Sequence, residues 1–148
     1  MEAMELKEIL SELKSGERIW EAEETVIIIK SMIEHIGSSD GELRDQLIYS
    51  WFYHLIIKKN LLDQVLLKEL LEVALKDLLL KGIGDKDTDT VFTRSFTTLL
   101  IALILSRDNE DDFLSQDVIL QIKNKIVDYI KLEEDLRGYI PHKGWAHS

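Results

Sequence analysis

The sequence predicts an all-α domain, and three observations carry that expectation. Leucine and isoleucine recur at helical spacing along almost the whole chain, stop signals separate the periodic stretches, and no run has a partner with which to form a sheet. A length of 148 residues suits a single domain over 1–148, one large enough to bury roughly 70% of the surface its unfolded chain exposes.

Each element has its own justification. A helix is expected over 2–14, where Leu6, Ile9, Leu10 and Leu13 share a face before Ser15 and Gly16 end it. A second is expected over 20–36, closed by Gly37. Its run Val26-Ile27-Ile28-Ile29 is β-branched, yet the flanking Glu23, Glu24, Lys30 and Glu34 favour helix. Ser39 and Glu42 have the spacing of a capping box and open a third helix, to about 59, that holds most of the aromatic mass. The fourth, over 61–81, has a broad leucine face and stops at Gly82-Ile83-Gly84. The fifth, over 88–106, is apolar nearly all round and is expected to be the most buried. After a polar loop over 107–112, Ser115 or Asp117 caps a sixth helix to about 134, with Gly138 as its C-terminal stop and Pro141 barring continuation.

Helices opening near residues 20, 61 and 115 form a loose repeat of hairpins, within or somewhat beyond the ~40–47-residue period of HEAT and armadillo units. The expected architecture is therefore antiparallel helical hairpins stacked as a HEAT/armadillo-like α-α superhelix, with a compact helical bundle as the alternative.

Composition narrows the function. A net charge of −10 argues against nucleic acid, whose binding relies on Lys and Arg neutralising phosphates, and against anionic membrane surfaces. The longest nearly uncharged stretch, 88–106, contains Arg94 and falls short of the ~20 apolar residues of a membrane span. Cysteine is absent, so thiolate chemistry and disulfides are excluded, and residues 1–5 lack the basic and apolar regions of a secretory signal. A cytoplasmic protein is expected. His-Glu-x-x-His, phosphate-loop and nucleophile-elbow motifs are all missing, and neither a cofactor nor a metal is expected.

Three constellations could carry chemistry. Asp85-Lys86-Asp87-Thr88-Asp89 alternates like the start of an EF-hand loop. Thr90 stands where that loop needs Gly, however, and Phe96 where it needs Glu, so these acids read as caps on the fifth helix. Arg94 is the lone charge of the buried helix, and an unpaired buried guanidinium is costly; it needs Glu133, Glu134 or Asp135 as partner, access to solvent, or a cavity where it binds an anion or a partner. The last residues gather Arg137, Tyr139, His142, Lys143, Trp145 and His147 around the only proline of the chain. Arg suits bidentate capture of carboxylate or phosphate, and His suits proton transfer. Together with Arg94 these are the candidate ligand-binding residues; the competing reading is a structured turn that packs Tyr139 and Trp145. Of the remaining histidines, His35 is expected to complement the dipole at the end of the second helix, and His54 to be a hydrogen-bonded core or boundary residue.

Val91-Phe92-Thr93-Arg94-Ser95-Phe96, taken with Glu133-Glu134-Asp135-Leu136-Arg137-Gly138-Tyr139-Ile140-Pro141-His142-Lys143-Gly144-Trp145-Ala146-His147, resembles an uncharacterised bacterial family known as a domain of unknown function. The resemblance covers most of the chain and implies an all-helical protein that continues past Ser148, with a second His and an Asp on a following helix; it implies no activity. The leading expectation is a helical-repeat scaffold or protein-interaction domain with a protein or peptide partner. The alternative is a ligand-binding or enzymatic domain whose polar site surrounds Arg94 and Arg137 to His147 and is completed by residues beyond Ser148.

Overall fold

The computed structural model describes residues 1–147. Six helices and one small hairpin form it. Helix α1 (Ala3–Ser15) buries Leu6, Leu10 and Leu13 and ends at Gly16, whose φ of 86° is the left-handed conformation expected of a C-terminal glycine. Helix α2 (Ala22–Glu34) buries Ile28, Ile29, Met32 and Ile33, so the β-branched run is helical. His35 caps α2 through its backbone N–H while its ring meets the carbonyl of Met1 at 2.9 Å.

Helix α3 spans residues 42–58. Its turns are wide over Glu42–Tyr49, regular over Ser50–Tyr53 and wide again over His54–Lys58. Asp40, not Ser39, caps it, accepting from the backbone N–H groups of Glu42 at 3.1 Å and Leu43 at 3.4 Å. Buried pairs recur along it, Leu43 with Arg44 and Leu47 with Ile48, followed by Phe52 and then Leu55 with Ile56. Trp51 joins α3 to α1 by donating to the carbonyl of Leu10 at 3.2 Å, and packs edge-on against Trp20. His54 differs from its expected role: it is exposed and lies edge-on against Trp51 and Tyr53.

Helix α4 begins at Gln64, three residues later than expected, because Asp63 caps it by accepting from the N–H of Leu66 at 2.8 Å. It continues from Gln64–Val73 into wide turns over Ala74–Leu78. Helix α5 (Thr90–Asp111) runs past its expected end. Arg107 pairs with Asp111 one turn on at 3.1 Å, and the Asp108 carboxylate accepts from the N–H groups of Phe113 and Leu114, so polar residues that read as loop stabilise one more turn of helix. Helix α6 (Gln116–Leu132) is capped by Ser115.

The helices enclose one continuous core, running from Leu6 on α1 to Ile122 on α6. The all-α class stands, and the packing is that of a compact bundle in which α5 touches both α3 and α4; nothing in it requires a repeating superhelix. Among the described residues, α5 alone is long and apolar enough to cross a membrane, but 56% of its most apolar window is buried inside the bundle. That is the position of a core helix, compatible with a soluble protein.

Candidate functional site

The ends of α5 and α6 meet through an ion-pair network. Helix α6 stops at Leu132, and Glu133 turns into extended backbone, ahead of the stop expected at Gly138. Its carboxylate thereby reaches Arg94, which is fully buried, and takes two hydrogen bonds at 2.6 and 2.9 Å. Arg94 also donates to the carbonyl of Lys81 and the hydroxyl of Thr90, both at 2.9 Å. Of its five N–H groups, four are thus engaged.

Arg137 is engaged as well. It clasps the buried carboxylate of Asp135 at 2.8 and 2.7 Å and donates to the carbonyl of Thr88 at 3.0 Å. Asp135 accepts further from the N–H of Asp87 at 2.9 Å. The Arg137 hydrogen bond holds the Asp135 carboxyl below its ordinary pKa, while Asp135 raises that of the guanidinium. The acidic loop before α5 is therefore gripped by the segment after α6. Asp89 stands at the start of α5 but makes no side-chain cap; its carboxylate pairs with Lys143 at 2.9 Å.

Beyond this anchor the chain forms an antiparallel hairpin, β1 (Tyr139–Ile140) and β2 (Gly144–Trp145), with Tyr139 opposite Trp145 and Ile140 opposite Gly144. The ladder extends through the bond from the N–H of Ala146 to the carbonyl of Gly138 at 2.8 Å. Pro141 and His142 make the turn, closed by the Lys143 N–H on the Ile140 carbonyl at 3.0 Å, with His142 at φ 67°. Gly138 lets the Trp145 ring lie across the backbone, since a Cβ there would stand 3.2 Å from it. Tyr139 braces the same ring edge-on at 5.6 Å.

The residue that sequence reasoning missed is Arg44. Its side chain is fully buried, lies over the Phe92 ring at 4.0 Å and the Phe96 ring at 4.9 Å, and donates to the carbonyls of Ser38 at 2.8 Å and Lys143 at 2.6 Å. No carboxylate pairs with it among the described residues, and its Nε has no partner. Burial pushes its pKa down, against the pull of Asp45, Asp40 and Asp89. Arg44 thus braces the hairpin against the start of α3.

Two adjoining cavities open between α3, α5 and the hairpin. One, of about 350 Å³, is lined by Arg44, Asp45, Tyr139, His142, Lys143 and Trp145 among others. The second, of about 390 Å³, is lined by Asp45, Tyr49, Phe96, Leu99, Trp145 and His147 among others. Of the sequence candidates, Tyr139, His142, Lys143, Trp145 and His147 come together at these cavities; Arg94 and Arg137 do not.

His147 meets the Tyr129 hydroxyl at 2.7 Å. Burial first, and the Glu133 charge second, push the Tyr129 pKa up to about 12 against the pull of Arg94. The folded state therefore holds this proton more tightly than the unfolded chain, whose tyrosine titrates near ~10, so stability should fall as pH rises from about 10 to about 12. Denaturant midpoints measured across that range check it, with Tyr129→Phe removing the part of the fall due to this group.

The fold and site define an all-helical bundle with a hairpin-covered cleft and no motif of a recognised activity. Residues 79–148 match the model of a protein family of unknown function, DUF2785. Both stretches that carry the resemblance lie inside the match, which is narrower than the expected likeness over most of the chain. Comparisons with curated proteins and with solved structures give no match.

Proposed function

We propose that this chain is a helical interaction domain that docks a protein partner on the outer face of α6. The observation that carries the reading is a mismatch between the apolar width of α6 and its burial. Of its 17 residues only Ile122 is buried, with Val118, Ile126 and Tyr129 partly covered. Ile119, Leu120, Val127 and Ile130 stay exposed, Leu120 to 55% and Ile130 to 70%. Residues 119, 123, 127 and 130 share a face by helical spacing, so the apolar side chains form one patch with Lys123 at its centre. Exposed apolar side chains gathered on one helix face around a single charge suit a contact surface.

Charge favours a foreign partner over a second copy. Antiparallel pairing of two α6 helices about the middle of the patch would bring Lys123 beside its own image, in chains that each carry a net −10. An apolar helix presenting a carboxylate to Lys123 suits the face better. A scaffold of stacked HEAT- or armadillo-type hairpins, in the cytoplasm and without a cofactor, accords with this use. The acidic composition supports a protein partner rather than nucleic acid or membrane. The ligand-binding or enzymatic alternative loses two of its residues, because Arg94 and Arg137 are both occupied by carboxylates.

Affinity capture from a lysate of the source organism, using the wild type and an Ile119→Asp/Ile130→Asp variant with unchanged circular dichroism, tests the reading. A partner held by the wild type and lost by the variant is expected. Identical recoveries, or dimerisation through this face in sedimentation, would overturn it.

A further inference from the structure

We propose that the cleft beneath the hairpin binds a zwitterionic small molecule with an apolar side chain, an apolar α-amino acid being its simplest form. The juxtaposition is of two cavities with different linings that share Asp45 and Trp145. One is lined by the exposed Asp45 and by Arg44, whose charge lies behind the wall, and the other by Phe96, Leu99 and Ala146 among others.

The charges at the rim decide the ligand's sign. Lys7 neutralises Asp40 at 2.8 Å and Glu42 at 3.4 Å, and Asp89 neutralises Lys143. Asp45 is exposed and has no basic group within ion-pair distance among the described residues. Arg44 feels Asp45, Asp40 and Asp89 at a distance but makes no ion pair with a carboxylate among the described residues. Its Nη2 lies close to Gly41 and Gly144, both on the cavity wall; a Cβ would stand 3.7 Å from it at Gly41 and 2.9 Å at Gly144. The same Nη2 donates to the Lys143 carbonyl at 2.6 Å, so this charge stands just behind the backbone of the wall. Because Arg44 is fully buried, it acts on a ligand through its field.

A simple anion would meet Asp45, and a simple cation would meet the field of Arg44. A zwitterion answers both. Its carboxylate lies toward Arg44 and its ammonium toward Asp45, against the face of Trp145, an indole that attracts cations and is 53% exposed. Its side chain enters the apolar cavity, where Phe96 and Ala146 are buried wall residues. Few convergent polar groups beside an apolar lining are what small-molecule sites commonly offer.

The inference is independent of the α6 face. Isothermal titration calorimetry on the full chain would compare L-phenylalanine and L-leucine with 3-phenylpropionate, which lacks the amine, and 2-phenylethylamine, which lacks the carboxylate. At least one amino acid should bind, with phenylalanine at least ten-fold tighter than either analogue. Asp45→Asn should weaken it at least ten-fold, while the Ile119→Asp/Ile130→Asp variant binds as the wild type does. Absence of binding by both amino acids at millimolar concentration, an analogue that binds as tightly, or an unaffected Asp45→Asn would each overturn the proposal.

Discussion

Truncating Glu133 to alanine should lower the unfolding free energy by about 3–5 kcal/mol, because it strips a buried guanidinium of the only carboxylate it meets among the described residues. Arg94 is fully buried and Glu133 is 4% exposed, so solvent cannot replace the lost partner. The remaining acceptors, the Lys81 carbonyl and the Thr90 hydroxyl, are neutral and cannot offset the charge. The damage should extend further, since the same carboxylate accepts the Asp135 N–H at 3.0 Å and so fixes the path into the hairpin. Replacing both partners by apolar residues, as Arg94→Met/Glu133→Leu, should cost far less than the single change, since no charge is left buried. Urea denaturation of wild type, both single variants and the double variant closes the cycle. Additive losses would show that the two groups do not interact.

This pair was legible in the sequence because the problem and its solution were both local patterns. A lone arginine in an apolar helix needs a carboxylate, and 133–135 is an acidic run at the end of another helix. The six helices were legible for a similar reason: period and stop signals are properties of short windows. Arg44 was not. In the local string Glu42-Leu43-Arg44-Asp45-Gln46 it reads as a solvated charge, and its burial comes from Phe92, Phe96 and Lys143, far along the chain. The hairpin was missed because each strand has two residues, too few to alternate. The sequence did mark the region of the cleft, through the density of polar and aromatic groups after Arg137, but the two arginines it grouped there, Arg94 and Arg137, do not line the cavities. Arg94 and Arg137 are each bound to a carboxylate away from the cavities, whereas Arg44, with no ion pair among the described residues, lines one of them.

Gly37→Ala should be the most damaging of the small substitutions, at about 3 kcal/mol or more, the upper part of the range for overpacking. Gly37 was expected merely to end α2, but its role is close approach. A Cβ on Gly37 would lie 1.9 Å from the Thr93 hydroxyl oxygen and 2.7 Å from both the Cα and the backbone nitrogen of Thr93. A hydroxyl could swing away; the backbone of α5, the central helix, cannot. The loop after α2 must therefore lift off α5. That loop carries the Ser38 carbonyl, which holds Arg44, and Asp40, which caps α3 and pairs with Lys7. A single methyl group would thus disturb the floor of the cleft as well as the stability, and thermal melting should show a loss of about 6–12 °C. Adding Thr93→Gly should restore only part of it, because the backbone contacts remain. Full rescue by that second change would mean that the side chain alone sets the approach of α2 to α5.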